Sequence, residues 1–152
     1  MSSTRGPRSV EDRDWPEILR LERSEYGSDA FSIHSVRMIP ILHGHTCWVV
    51  GSDVLQGYCL AAKEDLDLKA AWILAVVVDK AARTRGIGSS LVRACLAGLS
   101  EQGVRDIKLT VEEDNVPAQR LYAAAGFDVR TLRPQFFGAD GDRIEMRLHL
   151  GT

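Results

Sequence analysis

The sequence has no long hydrophobic run. Its longest apolar stretch, from Ala70 to Val78, is about half of the roughly 20 residues that a membrane-spanning helix needs. The N-terminal segment from Met1 to Pro7 carries a charge, but no apolar core of the kind that a secretory signal requires follows it. We therefore expect no membrane segment, and we predict a cytoplasmic location.

The sequence also lacks an excess of charge of one sign. It contains 19 Lys and Arg residues against 21 Asp and Glu residues, which gives a formal net charge of -2. An overall positive field, which would attract a polyphosphate backbone, is therefore missing. We do not expect nucleic acid as a partner.

Cysteine is scarce, and so are clusters of metal-ligating residues. The three cysteines, Cys47, Cys59 and Cys95, are odd in number and widely spaced within apolar segments, which is typical of buried free thiols. His43 and His45 are close in sequence, but a metal site needs at least one more ligand, whose position is unknown. We predict that the protein binds no metal.

What the sequence does contain is a series of helical and strand patterns over a length that suits one domain, residues 1–152. Apolar spacing, capping residues and β-rich runs locate these elements. One strand-helix-strand crossover lies in the centre, with antiparallel hairpins on either side. The predicted helices cover 15–26, 32–41, 86–102 and 115–125, and the predicted strands cover 46–51, 54–63, 71–79, 104–111, 127–137 and 143–150.

A glycine loop joins the central strand to the helix that follows it. The strand ends at Asp79, and Gly86 and Gly88 stand where the helix begins, so free backbone N–H groups and the positive end of the helix dipole meet there. Arg83 and Arg85 add positive charge. The loop has no third glycine for a dinucleotide fingerprint and no Gly-Lys-Ser/Thr for a nucleoside-triphosphate loop. We predict that the loop binds an anion, and neither of these two better-known phosphate loops describes it.

Two linked motifs resemble those of the GNAT superfamily of N-acetyltransferases. Arg83, Gly86 and Gly88 match its acyl-CoA pyrophosphate loop, Arg/Gln-x-x-Gly-x-Gly/Ala. Residues 115–127, Asn-Val-Pro-Ala-Gln-Arg-Leu-Tyr-Ala-Ala-Ala-Gly-Phe, match Asn-x-x-Ala-x-x-Leu-Tyr-x-x-x-Gly-Phe at each specified place. The resemblance covers roughly residues 71–127.

This resemblance implies an α/β (α+β) fold and a co-substrate, acetyl-CoA. The expected sheet is mixed and mostly antiparallel, has about six to seven strands, and is splayed between its two central parallel strands, with about four flanking helices. Many members assemble in pairs, so a homodimer is possible. The residues expected to bind acetyl-CoA are Arg83, Arg85, Gly86, Ile87, Gly88 and Ser89 in the loop, Val76, Val77 and Val78 through main-chain atoms, and Asn115, which also suits a helix cap.

The resemblance also assigns catalytic roles. Tyr122 is the expected general acid for the departing thiolate, although a tyrosine at this place can also serve only for packing. The proton acceptor stays open, because Thr110 and Trp72 stand where relatives have acids. Glu112 is a candidate if its strand continues, but it also suits a solvated acidic turn.

The acceptor is expected to be a primary amine. Phe136-Phe137 and the segment Gly141 to Met146 resemble protein N-terminal acetyltransferases, including the ribosomal-protein-alanine enzymes, which slightly favours a peptide or protein N-terminus over a small amine such as an amino acid, polyamine or antibiotic. Phe31 and Trp48 are further pocket candidates. A function of another class stays open, in which the fold is a non-catalytic acyl-CoA sensor or interaction module.

Overall fold

A computed structural model describes residues 6–139 and 141–151. Met1 to Arg5, Asp140 and Thr152 lie outside the described residues, and so do most of the predicted N-terminal segment and part of the predicted turn at 138–142. The strands are β1 (Arg8–Ser9), β2 (Trp48–Gly51), β3 (Leu55–Lys63), β4 (Ala70–Val78), β5 (Asp106–Val111), β6 (Val129–Arg133) and β7 (Arg143–His149), and the helices are α1 (Trp15–Tyr26), α2 (Ile33–His43), α3 (Ile87–Glu101) and α4 (Val116–Ala124).

The seven strands form one mixed sheet in the order β1-β2-β3-β4-β5-β7-β6. Only β4 and β5 pair in parallel, and α3 is the crossover between them. All other neighbours pair antiparallel. The predicted fold class, with its strand number and its four helices among the described residues, is confirmed.

The two parallel strands separate soon after they meet. Ala70, Ala71 and Trp72 of β4 pair with Asp106, Ile107 and Lys108 of β5, and the ladder between the strands stops there. β4 continues for another six residues to Val78, and it stays paired with β3 on its other side. The sheet is therefore split, and a gap opens between the C-terminal parts of β4 and β5.

A bulge in β4 lies at the start of this gap. Ile73 pairs with Ala61 and Ala75 pairs with Leu60, so Leu74 is one extra residue on the β4 side. The bulge exchanges the two faces of the strand: Ile73 belongs to the core under α3, whereas Ala75 belongs to the core under α1 and α2. The strand is thereby bent where it leaves β5.

Each face of the sheet has its own apolar core. The core under α3 and α4 includes Leu91, Cys95, Ile107 and Met146. The core under α1 and α2 includes Ile18, Leu21, Val36, Leu60 and Val77. Cys47, Cys59 and Cys95 are buried free thiols, as predicted. None of the helices in the described ranges is long and apolar enough to cross a membrane.

Most element boundaries differ from the predictions by one or two residues, but the last hairpin differs more. β6 ends at Arg133 rather than continuing to Phe137. Pro134 follows it and has no N–H for a ladder, and Gln135 has a φ of 53°, which an extended strand does not allow. Phe136 and Phe137 therefore lie in a turn between β6 and β7.

A buried carboxylate fixes α1 to the sheet and to the chain that follows α1. Glu22 accepts a hydrogen bond from the Tyr58 hydroxyl at 2.5 Å and another from the Phe31 backbone N–H at 2.9 Å. Because Glu22 is almost completely buried, loss of its side chain would leave both donors without a partner.

We expect Glu22→Ala to lower the free energy of unfolding by about 2–4 kcal/mol, because it removes two hydrogen bonds and leaves a cavity. Glu22→Gln keeps the shape and an acceptor oxygen, so a smaller loss of about 1 kcal/mol is expected. Chemical denaturation of the two variants measures the difference. A loss below about 1 kcal/mol in Glu22→Ala would show that the two hydrogen bonds contribute little.

Candidate active site

The junction of the glycine loop and α3 carries unpaired backbone donors. The first hydrogen bond at this end of α3 runs from the Ser90 N–H to the Gly86 carbonyl oxygen, 3.0 Å, and no side chain caps the helix. The N–H groups of Ile87, Gly88 and Ser89 therefore lie ahead of the helical ladder and are available to an anion.

The backbone of this loop is held in an unusual conformation. Gly86 has a φ of 76°, and a Cβ added to it would meet nothing within 4 Å, so the approach to the N–H groups is open. Thr84 has a φ of 68°, which is costly for a β-branched residue. Strain of this kind is common at binding sites, and no sequence motif indicated it.

The two arginines of the loop differ in their surroundings. Arg83 forms an ion pair with Glu25 near the end of α1, and its Nε donates to the Val78 carbonyl oxygen at 3.4 Å. Arg85 is exposed. The charge of Arg83 is thus shared with a carboxylate that sequence analysis did not connect to the loop.

The end of β4 presents main-chain groups to the gap. Asp79 donates its N–H to the Gln56 carbonyl oxygen, 2.8 Å away on the β3 side. Because backbone groups alternate along an antiparallel pair, those of Val77 also face β3, whereas those of Val76 and Val78 face the gap. A chain lying in the gap can therefore pair with Val76 and Val78.

Helix α4 lies across the gap from this strand end. A Cβ on Gly88 would lie 3.4 Å from a Leu121 side-chain carbon and 3.6 Å from one of Val78, so loop, strand and helix converge around Gly88. Asn115 accepts a hydrogen bond from the Ala118 N–H, 3.2 Å, and thereby caps α4. Its capping role is observed, and contact with a cofactor stays a prediction.

Tyr122 lies on α4 and is almost fully buried, with its ring 5.9 Å from that of Phe127 in an edge-on arrangement. Burial raises the pKa of Tyr122 above its ordinary value, and the neighbouring Cys59 and Tyr26 act in the same direction. The phenol is therefore neutral at physiological pH and can act as a hydrogen-bond donor.

Tyr26, at the C-terminal end of α1, lies close enough to α4 to influence Tyr122, which sequence analysis did not indicate. Partial burial and then the carboxylates Glu22, Glu25 and Glu112 raise the pKa of Tyr26 to about 12. Tyr26 also contributes to the raised pKa of Tyr122, so the C-terminal end of α1 lies near the same region as α4. The amphipathic pattern of α1 marked its inner face but gave no sign of this proximity.

The three positions considered for the proton acceptor have different environments. β5 ends at Val111, so Glu112 does not extend the strand; it lies in a turn, with an oxygen 3.7 Å from Arg143. Trp72 donates its ring N–H to Glu64 at 2.8 Å. Thr110 pairs across the sheet with Glu145, which is buried.

The aromatic candidates divide into two groups. Phe136 lies 6.4 Å from Trp72 and 4.8 Å from Phe137, measured between ring centroids, so these three rings form one cluster beside the split in the sheet. Trp48 belongs to β2, which is separated from β4 by β3, and packs against Gly98 of α3. Trp48 is therefore distant from this cluster. Groups of three or more metal-ligating side chains are absent from the ranges 6–139 and 141–151.

The structure thus combines an open mixed sheet, split between its two parallel strands, with unpaired backbone N–H groups at the start of the helix that joins them. The model of the Acetyltransferase (GNAT) family matches residues 15–127. The chain belongs to this family.

Proteins of similar sequence are named for different acetyl acceptors. The chain is 38% identical over 79 residues to a mycothiol acetyltransferase of Actinosynnema mirum, which covers 52% of the chain and 26% of that protein. It is 31% identical over 87 residues to a [Ribosomal protein bS18]-alanine N-acetyltransferase of Haemophilus ducreyi, which covers 55% of the chain and 60% of that protein. The chain thus spans about a quarter of the first relative's length.

A solved structure of similar fold is that of the diaminobutyrate acetyltransferase EctA from Paenibacillus lautus, in complex with L-2,4-diaminobutyric acid and coenzyme A. The two chains superpose with a TM-score of 0.83 at 19% identity, over 97% of this chain and 96% of EctA. At this identity the similarity establishes the fold.

Proposed function

We propose that this protein is an N-acetyltransferase that uses acetyl-CoA to acetylate a primary amine, with a peptide or protein N-terminus as the favoured acceptor and a small amine as the second candidate. The observation that carries the proposal is the convergence of free N–H groups at the start of α3 with the gap between β4 and β5. Reduced, buried thiols are compatible with action in the cytoplasm.

The residues around the gap suit acetyl-CoA. The N–H groups of Ile87, Gly88 and Ser89, with Arg85 and Arg83, would hold its diphosphate, since backbone donors at a helix N-terminus favour negative charge. The gap-facing groups of Val76 and Val78 would pair with the amides of the pantetheine arm. Val77, whose groups face β3, would act by keeping the strand in place. Asn115 retains its amide N–H₂ group for a further contact.

Two groups of the chain would assist acetyl transfer. Acetyl-CoA supplies an acetyl thioester, and a backbone N–H of β4 in the gap would stabilise the negative charge that develops on the thioester carbonyl oxygen. Tyr122, kept neutral by burial, would donate its proton to the departing sulfur. The amine must lose a proton before it attacks, and Glu112, whose charge acts on Tyr26 beside Tyr122, is a candidate to accept it.

Release of coenzyme A thiol from acetyl-CoA tests the proposal. The acceptors are peptides with free N-termini, amino acids, polyamines and aminoglycosides, and the control is the best acceptor with its amine already acetylated. We expect turnover that requires the free amine and is highest with peptides. Tight acetyl-CoA binding without turnover on any acceptor would instead favour the non-catalytic sensor.

The ion pair between Glu25 and Arg83 predicts competition for the cofactor. We expect Glu25→Gln to tighten acetyl-CoA binding by up to about fivefold, because Arg83 is then free for the diphosphate and a partly exposed ion pair contributes roughly 0–1 kcal/mol. Calorimetric titration with acetyl-CoA measures the dissociation constant.

A double-mutant cycle isolates this effect. In an Arg83→Gln background, Glu25→Gln should no longer change the affinity, because its partner is missing. Arg85→Gln is the matched control, since Arg85 stands in the same loop, and in that background the gain from Glu25→Gln should persist. The same gain in both backgrounds would contradict competition through Arg83.

A further inference from the structure

A buried carboxylate lies on the sheet face beside the gap. Leu109 and Met146 point into the core under α3, so Thr110 and Glu145, their neighbours in sequence, point to the opposite face, where the register places them side by side. Thr110 is two residues beyond Lys108, which is the last β5 residue that pairs with β4. The cross-strand pair Thr110 and Glu145 therefore borders the gap. The core of α1 and α2 is built on β2, β3 and β4 and does not extend to β5 and β7.

Glu145 holds two arginines. Its Oε1 accepts a hydrogen bond from Arg133 at 2.7 Å, and its Oε2 accepts one from Arg147 at 2.8 Å. The Glu145 side chain is only 2% exposed, whereas those of Arg133 and Arg147 are 43% and 52% exposed. Both carboxylate oxygens are thus occupied by cationic donors, so Glu145 serves to position the two arginines.

The two guanidinium groups have bonding capacity left. A guanidinium carries five N–H donors, and the bonds to Glu145 use one nitrogen of each arginine. Arg133 and Arg147 share one carboxylate, so these three side chains together carry a net positive charge, and Arg147 also borders a cavity lined by Asp106 and Asp128. The other two cations on this face have carboxylate partners of their own, Lys108 with Glu64 and Arg143 with Glu112.

The surroundings keep Arg133 in place. Its guanidinium lies 5.2 Å from the centroid of the Phe136 ring, and Phe136 contacts Trp72 at the split in the sheet. Stacking on an aromatic ring and a bond to a buried carboxylate restrict a side chain that is otherwise flexible. A fixed, half-exposed guanidinium is well suited to bind a carboxylate through paired hydrogen bonds.

We propose that Arg133 and Arg147, held by Glu145, bind a carboxylate of the acceptor, so that the preferred acceptor is an amine that also carries a carboxylate. This inference rests on the proposed acetyl transfer and narrows its substrate class. The carboxylate has two possible sources: the α-carboxylate of a free amino acid, or an acidic side chain near a peptide N-terminus.

Matched acceptor pairs test the inference. One arm compares free amino acids with their amides, and the other compares peptide amides that differ only by Asp against Asn, or Glu against Gln, at the first or second residue. In the arm that contains the natural source, we expect kcat/KM to be about tenfold or more higher for the carboxylate-bearing member, the size of a charge-assisted hydrogen bond. The preference should decrease as salt is added.

Variants of the two arginines show which residues cause the preference for the carboxylate-bearing acceptor. Arg133→Gln should reduce it to about threefold or less, and Arg133→Gln combined with Arg147→Gln should remove it. Arg130→Gln is the control: Arg130 is exposed on β6 but pairs with Met146 on the other face, so the full preference should remain. Thermal unfolding verifies that each variant is folded.

The outcomes separate the two proposals. Turnover on both members of every pair at equal rates, or a preference unchanged in the double variant, would overturn the carboxylate site and leave acetyl transfer standing. Thiol release with none of the acceptors would overturn acetyl transfer, and the acceptor site with it.

Discussion

Gly86→Asp is expected to weaken acetyl-CoA binding about 100-fold while the domain stays folded. A Cβ on Gly86 would point into open space at the start of α3, so an aspartate there causes no clash. Its charge would stand beside the N–H groups that are proposed to hold the diphosphate. At an effective dielectric constant near 20, like charges about 6 Å apart repel by about 2–3 kcal/mol, which corresponds to this loss.

The stability of the variant depends on two opposing effects. A φ of 76° costs a non-glycine residue roughly 1 kcal/mol, although aspartate and asparagine tolerate it best. A side-chain oxygen at the position before the helix accepts a hydrogen bond from a free N–H group, which stabilises the fold by about the same free energy. The two effects nearly cancel, so the melting temperature should change by only a few degrees.

Gly86→Asn is the matched control for charge, because asparagine has the same shape and the same backbone cost. We expect it to reduce the affinity for acetyl-CoA by about tenfold or less, so that the ratio between the two variants measures electrostatic repulsion. That ratio should fall as salt is added. Equal affinities for the two variants at low salt would contradict the assignment of the diphosphate to this loop.

The fold was predictable because its signals are local. Residues 86–102 have an apolar residue at every fourth position after a glycine loop, and the observed helix is Ile87–Glu101. Val76 to Val78 lie in an uninterrupted apolar run, which is typical of a central strand buried on both faces. The two-residue strand Arg8–Ser9 was missed, because its pairing with Val49 and Trp48 is set by a partner some 40 residues away and leaves no pattern in so short a segment.

The bulge at Leu74 shows why the details of the site were less predictable. The sequence around it reads as one continuous apolar strand, and only the pairing with Ala61 and Leu60 reveals that one residue is extra. The bulge reverses which residues face each core. The alternation after it decides that Val76 and Val78, but not Val77, present their backbone groups to the gap.

Charge pairing across distant segments was also outside the reach of sequence analysis. Arg83 and Glu25 are 58 positions apart, and Arg133 and Glu145 belong to different strands of a hairpin. Motif matching identified Arg83 from its spacing to Gly86, but a motif contains no information about the partner that competes for its charge. Glu145 stands in a strand that otherwise alternates normally, so its burial depends on the arginines that cover it.

Tyr122→Phe is expected to lower kcat about 100-fold and to leave the dissociation constant of acetyl-CoA nearly unchanged. The substitution removes only the hydroxyl, and the ring can keep its edge-on contact with Phe127. A positioned general acid contributes roughly 100-fold or more. Because the pKa of Tyr122 is raised, its proton is retained as the pH rises through 10, so Tyr122 should not cause a fall in kcat between pH 7 and 10.

Tyr58→Phe is the control for loss of a buried tyrosine hydroxyl. Tyr58 lies in the core under α1 and α2, on the opposite face from Tyr122, and its hydroxyl bonds to Glu22. This variant should lose about 1–2 kcal/mol of stability, because Glu22 loses a donor, but it should keep most of its kcat. If Tyr122→Phe behaves in the same way, with reduced stability and nearly full turnover, then Tyr122 serves for packing, and the proton for the departing sulfur must come from another group.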